Sequence, residues 1–168
     1  MSSQIDSFRY LDKFSRQMVT SWISQENPRD IPWTPLAKPL ADCTVALISS
    51  GGIALKSQPP FDQEGERANP WWGDPSYRVI PRTATAADIR VWHLHINPAF
   101  AEEDLNCLLP LERLLEMEAS AEIGRSAARH YSIMGYILQP ETLLTESTPA
   151  IIQQLKDDLV DIVVLIPS

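Results

Sequence analysis

The chain has 168 residues, of which 44% are hydrophobic and 21% charged, and its formal net charge is -8 at pH 7. This length favours a single domain with a sizeable core, and the composition is ordinary for a soluble globular protein. The acidic balance argues against nucleic acid or an anionic membrane surface as the main partner, because both are bound through clustered lysine and arginine. The N-terminus lacks the order of a signal peptide, and no apolar stretch reaches the roughly 18 residues of a membrane span, so we expect a cytoplasmic protein.

The first predicted element is an amphipathic helix over residues 7–25. Its apolar residues recur at steps of three and four, the spacing of one helix face: Phe8, Leu11, Phe14, Met18 and Trp22. Residues 31–40 then carry three prolines and predict an extended strap. We expect the core over residues 42–168, within a single α/β domain that spans 1–168.

The first predicted strand runs from Thr44 to Ile48 and leads directly into a small-residue turn: Ser49, Ser50, Gly51 and Gly52. Paired glycines let backbone N–H groups approach an anion or a reacting atom, and the serine hydroxyls add donors. Gly-Gly also serves any tight turn, so the motif fits both a substrate-binding turn and a plain turn. We include these four residues among the candidate site residues.

Residues 56–75 are rich in proline, glycine and charge, which predicts a long irregular loop or lid. Trp71 and Trp72 lie near its middle and would face opposite ways on an extended backbone. The pair fits two roles, a wall of a substrate site or indoles that pin the loop to the core.

Two histidines stand two residues apart in the strand predicted from Ile89 to Ile96. On a strand, His93 and His95 would share one face. Two imidazoles on one face can bind a metal, activate a nucleophile or fix a carboxylate. Because the sequence has no cysteine pair at metal spacing and no H-E-x-x-H motif, the pattern favours a structural or substrate-orienting role, and we predict no metal site.

The second half of the chain alternates helices with buried strands. Residues 101–117 predict two short helices broken at Pro110, and Thr148 is predicted to cap a helix with Pro149 at its first position. The aliphatic run from Asp161 to Ile166 is typical of a strand that is buried on both faces. The order of elements predicts an α/β, layered, Rossmann-like domain with a largely parallel sheet.

Residues Arg125 to Ile137 hold a polar cluster that packing alone does not explain. The candidate site residues in this stretch are His130, Tyr131 and Ser132. His130 is the third and last histidine of the chain.

A series of motifs in uninterrupted order resembles the selenoprotein B family of the glycine, sarcosine, betaine and D-proline reductases. The motifs are P-W-T-P-L-A-K-P-L (32–40), V-A-L-I-S-S-G-G-I (45–53), K-S-Q-P-P-F-D (56–62), G-D-P-S-Y-R-V-I-P (73–81), H-L-H-I-N (93–97), D-L-N (104–106), P-L-E-R-L (110–114) and R-H-Y-S-I-M-G-Y-I (129–137). The resemblance covers residues 31–168, and the ordered set is specific although each motif alone is weak.

This resemblance implies a subunit of a reductase that splits a C–N bond. In that family a selenocysteine attacks the carbon next to the substrate carboxyl group, and the substrate is typically held on a pyruvoyl group of a partner subunit. The implied partners are that pyruvoyl-containing subunit, a dithiol or thioredoxin-like electron donor and a small amine or amino acid. We expect no cofactor bound by this chain itself, and a C-terminal strand left partly uncovered would favour a homo-oligomer through that edge.

The family's redox motif follows an apolar strand that ends in proline and a small residue, which Asp161 to Ser168 match. We therefore expect a selenocysteine directly after Ser168 and a chain truncated at that position, so that the 168 residues alone are inactive. Two other hypotheses remain open: a non-catalytic module that binds a small anion or a partner subunit, and a homologue that holds a metal through His93, His95 and Asp104.

Overall fold

The computed structural model describes residues 8–25, 34–69 and 71–168. The chain divides into two compact units, residues 1–35 and 36–168. The first unit contains helix α1 (Lys13–Gln25), which begins after Asp12 because that carboxylate accepts hydrogen bonds from the backbone N–H groups of Phe14 (2.8 Å) and Ser15 (3.0 Å). The helix predicted from Ser7 thus begins at Lys13, while Ser7 itself lies outside the described residues.

The proline-rich strap falls partly outside the described residues. Its described part, residues 34–39, forms neither helix nor strand. The assignment of 1–168 to one domain stays a prediction.

The second unit contains seven strands and four α-helices among its described residues. The strands are β1 (Thr44–Ser49), β2 (Ile53–Leu55), β3 (Arg78–Pro81), β4 (Ile89–Val91), β5 (Arg125–Ser126), β6 (Arg129–Ser132) and β7 (Ile162–Ile166). The helices are α2 (Gln63–Ala68), α3 (Pro98–Glu103), α4 (Leu111–Ala119) and α5 (Thr148–Asp157). Short 3₁₀ helices occupy Leu40–Asp42, Ala86–Asp88 and Leu105–Cys107.

The main sheet is organised around β1. Parallel β5 and β6 pair one after the other along one side of β1, parallel β7 pairs along the opposite side, and β3 lies antiparallel to β6. A separate two-stranded sheet joins β2 and β4. The predicted α/β, Rossmann-like layout with a largely parallel sheet is confirmed.

Strand β1 carries apolar side chains on both faces, as its sequence predicts. Val45 and Leu47 belong to one buried cluster, which includes Ile53 and Ile80, whereas Ala46 belongs to a second cluster on the other face. The sheet is therefore covered on both sides at its centre. Among the described residues, none of the helices has both the length and the apolar character that crossing a membrane requires.

Strand β7 differs from its prediction. It is a strand, but Val163, Val164 and Leu165 are 37%, 41% and 70% exposed, so burial on both faces is wrong. The physical reason is its place at the edge of the sheet, where among the described strands it pairs only with β1.

The helix before β7 also starts differently. Ser147 and Thr148 have helical backbone angles, and a π-helical stretch over Leu143–Ser147 runs into α5. Thr148 is thus inside a continuous helical path and is not an N-cap, which requires a non-helical conformation. The hydroxyl of Ser147 instead donates to the carbonyl of Pro75 (2.7 Å), which ties this helix to the loop before β3.

Candidate functional site

Three parallel strands end at one edge of the main sheet. The register places Ser49 of β1 opposite both Ser132 of β6 and Ile166 of β7. The segments that follow these strands therefore leave the sheet side by side. In open α/β sheets, ligands bind at this carboxyl edge.

The turn after β1 is tied to the end of β7. The N–H of Ser50 donates to the carbonyl of Ile166 (3.0 Å), and the Ser50 hydroxyl accepts from the N–H of Ser168 (2.9 Å). The buried Ser49 hydroxyl accepts from the N–H of Gly51 (3.0 Å). These groups hold the edge together, so the N–H groups of Ser50 and Gly51 are already bonded within the protein.

Gly52 brings the loop after β4 against this turn. Its φ is +59°, and a Cβ there would lie 2.6 Å from the Met134 sulfur and 3.2 Å from the Cβ of His93, so glycine is required. Its N–H donates to Ile133 (3.0 Å) and its carbonyl accepts from Trp92 (2.8 Å). The next N–H, that of Ile53, donates to the hydroxyl of Ser132 (2.9 Å). All of these N–H groups have acceptors within the protein, so an anion could bind them only by displacing one of those acceptors. Their predicted use as an anion cradle stays a prediction.

His93 and His95 do not lie on a strand, which corrects the prediction. Strand β4 ends at Val91, the Trp92 N–H still bonds to the Gly52 carbonyl in the register of the β2–β4 ladder, and the chain then turns at Leu94 and His95. The two rings still meet, with centroids 5.8 Å apart and planes nearly perpendicular. They are neighbours through a turn and not through a shared strand face.

The ring of His93 has one bonded and one unpartnered nitrogen. Its Nδ1 accepts the backbone N–H of His95 (3.1 Å), so in the neutral ring the proton is on Nε2. His93 is 7% exposed, and Nε2 is buried with no hydrogen-bond partner among the described residues. Burial, and next the charge of His95, lower the pKa of His93 and favour this neutral donor form.

The unpartnered nitrogen lies against Gly135, where the chain leaves β6. A Cβ on Gly135 would lie 2.8 Å from His93 Nε2, 2.8 Å from the Ser50 carbonyl oxygen and 3.0 Å from the Ser168 carbonyl oxygen. One N–H donor and two carbonyl acceptors thus converge on this glycine. We call these four residues, Ser50, His93, Gly135 and Ser168, the carboxyl-edge site.

Next to this site, His95 pairs with a buried carboxylate. His95 Nε2 lies 2.7 Å from Glu66 Oε1, and the side chains are 50% and 2% exposed respectively. The Tyr136 ring packs on His95 with a centroid distance of 4.4 Å. Sequence reasoning missed Glu66 and Tyr136, although Asp62 before Q-E-G-E-R is an N-cap signal for helix α2, which carries Glu66.

The segment that carries Glu66 is fixed to β3 by Arg78. Its guanidinium donates to the carbonyls of Pro59 (2.8 Å) and Pro60 (2.7 Å) and lies 4.1 Å from the centre of the Phe61 ring. Of the two tryptophans, Trp72 packs so tightly on α2 that a Cβ on Gly65 would lie 2.7 Å from its ring, whereas Trp71 is 68% exposed. Trp72 thus pins the loop.

His130 lies away from the carboxyl-edge site. Its Nδ1 accepts the backbone N–H of Leu47 (3.0 Å), so Nε2 carries the proton and donates to the Ser126 hydroxyl (3.0 Å). The ring thereby fills the interruption between β5 and β6 beside β1. Burial lowers its pKa to about 4.

Tyr131 faces the other side of the sheet. It is fully buried with Ala46, Ile151 and Leu155, and its ring lies 6.2 Å from that of Tyr77. Burial raises the pKa of its hydroxyl. The geometry does not bring Tyr131 or His130 to the carboxyl-edge site, and their roles in substrate binding stay predictions.

Within the described residues, no group of three or more histidine, cysteine, aspartate or glutamate side chains is arranged to hold a metal ion. The chemistry available at the carboxyl edge is therefore that of imidazoles, a carboxylate, a hydroxyl and backbone carbonyls.

Fold and site define an α/β protein that collects polar groups at the carboxyl edge of a parallel sheet. The family described as glycine/sarcosine/betaine reductase selenoprotein B matches residues 10–168. The chain belongs to this family, which confirms the resemblance carried by its motifs.

Two curated relatives agree with the family. The chain is 32% identical over 133 residues to D-proline reductase subunit gamma of Acetoanaerobium sticklandii, a match that covers 79% of this chain and 52% of that protein. It is 30% identical over 105 residues to glycine reductase complex component B subunit gamma of Carboxydothermus hydrogenoformans, covering 62% of this chain and 23% of that protein. The chain thus spans about half, or less, of the relatives it matches, and no solved structure matches it.

Proposed function

We propose that the chain is a subunit of a selenocysteine-dependent reductase that cleaves the C–N bond of a small amine or amino acid. The single observation that carries the proposal beyond family membership is the buried, unpartnered Nε2–H of His93 at the carboxyl edge of the sheet. A buried donor without an acceptor costs about 1–3 kcal/mol, which an acceptor on a bound ligand would recover.

His93 is suited to hold an anionic group in place. Its low pKa keeps the ring neutral, so Nε2 stays a hydrogen-bond donor without bringing a buried charge. A substrate carboxylate or an anionic selenol is an acceptor for such a donor. Ser50 supports this arrangement because its hydroxyl and N–H fix the ends of β1 and β7.

The expected selenocysteine belongs directly after Ser168. This position rests on the family resemblance of Asp161 to Ser168 and is supported by the closeness of the Ser168 carbonyl to Gly135 and hence to His93. The residues present fit such a group, since an unpartnered N–H donor lies beside its expected position. When present, it would supply the nucleophile, and the partners would be a pyruvoyl-containing subunit and a dithiol electron donor.

The first test uses the longer reading frame. We expect the codon after Ser168 to be UGA, followed in frame by a cysteine three codons on. The polypeptide translated through that codon, combined with its partner subunit and a dithiol, should cleave the C–N bond of one of D-proline, glycine, sarcosine or betaine, which opens the ring of D-proline and releases an amine from the other three, whereas the 168-residue chain alone should not. Turnover by the 168-residue chain alone would contradict the proposal.

The role of His93 is tested by His93→Asn in the same complex. An asparagine side-chain oxygen can accept the N–H two residues on, as His93 Nδ1 does, but it offers no donor at the position of Nε2. We expect a loss of at least about tenfold in kcat/KM. Unchanged kinetics would remove His93 from the site, and binding without turnover in the complete wild-type complex would favour a non-catalytic binding module.

A further inference from the structure

A buried carboxylate beside the carboxyl-edge site has one hydrogen-bond partner within the part of the chain that the structure describes. Glu66 has a side chain that is 2% exposed, its Oε1 lies 2.7 Å from His95 Nε2, and its Oε2 has no partner among the described residues. Burial of an unpaired carboxylate is strongly unfavourable. A proton between Oε1 and Nε2 removes this penalty. The pair is neutral as a whole whether that proton is on the glutamate or on the histidine.

The His95 ring connects the pair both to the carboxyl-edge site and to the solvent. Three groups face its ring: Glu66 from α2, His93 from its own loop, and Tyr136 from the segment after β6. Half of the His95 side chain is exposed, so water can return a proton to it. The pair thus combines a buried carboxylate, an accessible imidazole and contact with His93.

The two neighbouring histidines therefore differ in what they can do. Because burial favours its neutral ring, His93 can orient a ligand but is a poor source of protons. His95 instead is hydrogen-bonded to the Glu66 carboxylate and is half exposed, so it can pass a proton on and take up another from water.

We propose that the Glu66–His95 pair supplies the proton that the nitrogen of a primary or secondary amine substrate takes up when the C–N bond breaks, whereas the quaternary nitrogen of betaine leaves as a neutral amine and needs no proton. The electron pair of that bond remains on nitrogen, the proton comes from Nδ1 of His95 while Nε2 keeps its hydrogen bond to Glu66, and water returns a proton to the pair. The carbon bonds instead to the selenium or sulfur of the nucleophile, and a dithiol then breaks that bond: its two electrons and two protons give the C–H product and the free selenol or thiol, and the dithiol leaves as a disulfide. The inference rests on the proposed function, and within it Glu66 is a positioning residue that acts through His95.

The kinetic test compares two glutamates of helix α2 in the complete complex. Glu66→Gln keeps the shape of the side chain and removes its charge, and Glu64→Gln makes the same change at an exposed position. We expect Glu66→Gln to lower kcat about 100-fold with KM within about threefold, the size of a lost general acid, and Glu64→Gln to change neither. In His95→Ala, added imidazole buffer at constant pH should raise kcat at least about tenfold over the value without imidazole.

A second test needs no turnover and uses the 168-residue chain. The proton between Glu66 and His95 should give a downfield, slowly exchanging proton NMR signal that Glu66→Gln moves upfield and Glu64→Gln leaves in place. If the wild-type complex is active while Glu66→Gln matches Glu64→Gln in kcat, the proton-donor role is wrong and the proposed function stands. If no substrate of the four is cleaved, the proposed function fails, and absence of the NMR signal overturns the pair by itself.

Discussion

His130 and His93 are both buried histidines with a lowered pKa, yet their surroundings differ in one respect. Both ring nitrogens of His130 are bonded, to the N–H of Leu47 and to the hydroxyl of Ser126. In His93 only Nδ1 is bonded, and Nε2 is left without a partner at the carboxyl edge of the sheet. Two buried rings thus have a complete set of hydrogen bonds in one place and an incomplete set in the other.

The comparison separates buried polar groups that stabilise the fold from those that are available to bind a ligand. A buried polar group with all its partners stabilises the fold, whereas one that lacks a partner costs free energy until a ligand supplies it. His130 therefore belongs to the sheet, and His93 is the histidine with spare bonding capacity. The same substitution at both positions separates the two cases.

The largest expected effect on stability is that of His130→Asn. The asparagine oxygen can accept the N–H of Leu47, but the shorter side chain does not reach Ser126, so it leaves that buried hydroxyl without its donor and opens a small cavity. We expect the free energy of unfolding to fall by about 3 kcal/mol, measured by urea denaturation at pH 7. A loss below about 1 kcal/mol would mean that water or a shifted strand replaces the imidazole.

The pH dependence of the free energy of unfolding tests the role of His130 without changing a residue of the carboxyl-edge site. The pKa of His130 falls from its ordinary value of 6.5 to about 4 in the folded chain, so folding favours the neutral ring. This contribution is complete above pH 6.5 and is lost as the pH falls toward 4, by about 3 kcal/mol in all. The wild-type chain should lose more stability over pH 6.5 to 4 than His130→Asn does, because the loss caused by the lowered pKa of His93 is common to both proteins.

Carboxylates produce their own loss of stability at lower pH and serve as an internal check. Hydrogen bonds from Arg129 lower the pKa of Asp158, and hydrogen bonds from Lys38 and from the N–H of Thr44 lower that of Asp161. A carboxyl group whose pKa is lowered in the folded chain stabilises the fold above its unfolded pKa near 4, and this contribution is lost as the pH falls below that value. Both proteins should share that second decline, so equal curves between pH 6.5 and 4 would contradict the role of His130.

Much of the fold follows from the sequence because strand burial and helix periodicity are local signals. The apolar run Thr44 to Ile48 and the turn Ser49 to Gly52 indicate a central strand that leads to the carboxyl edge, and β1 lies there. The family motifs point to the same edge. These features depend on neighbours in the chain, which a sequence pattern records.

The missed features depend on distant contacts. Glu66 is buried because Arg78 holds the preceding loop against β3, a pairing that no local pattern encodes. His93 and His95 meet through a turn after β4, although their spacing of two residues also fits a strand. An aliphatic run such as that of β7 has the same sequence pattern at the centre and at the edge of a sheet, so the exposure of β7 could not be predicted.

The smallest expected effect on stability is that of His93→Asn, and it completes the comparison with His130→Asn. Asparagine can keep the bond to the N–H of His95 and removes the unpartnered Nε2–H, so the lost packing is offset in part. We expect the free energy of unfolding to change by less than about 1 kcal/mol, measured beside His130→Asn under identical conditions. A loss equal to that of His130→Asn would show that the His93 ring is a bonded part of the core, and the carboxyl-edge site would then lack its ligand donor.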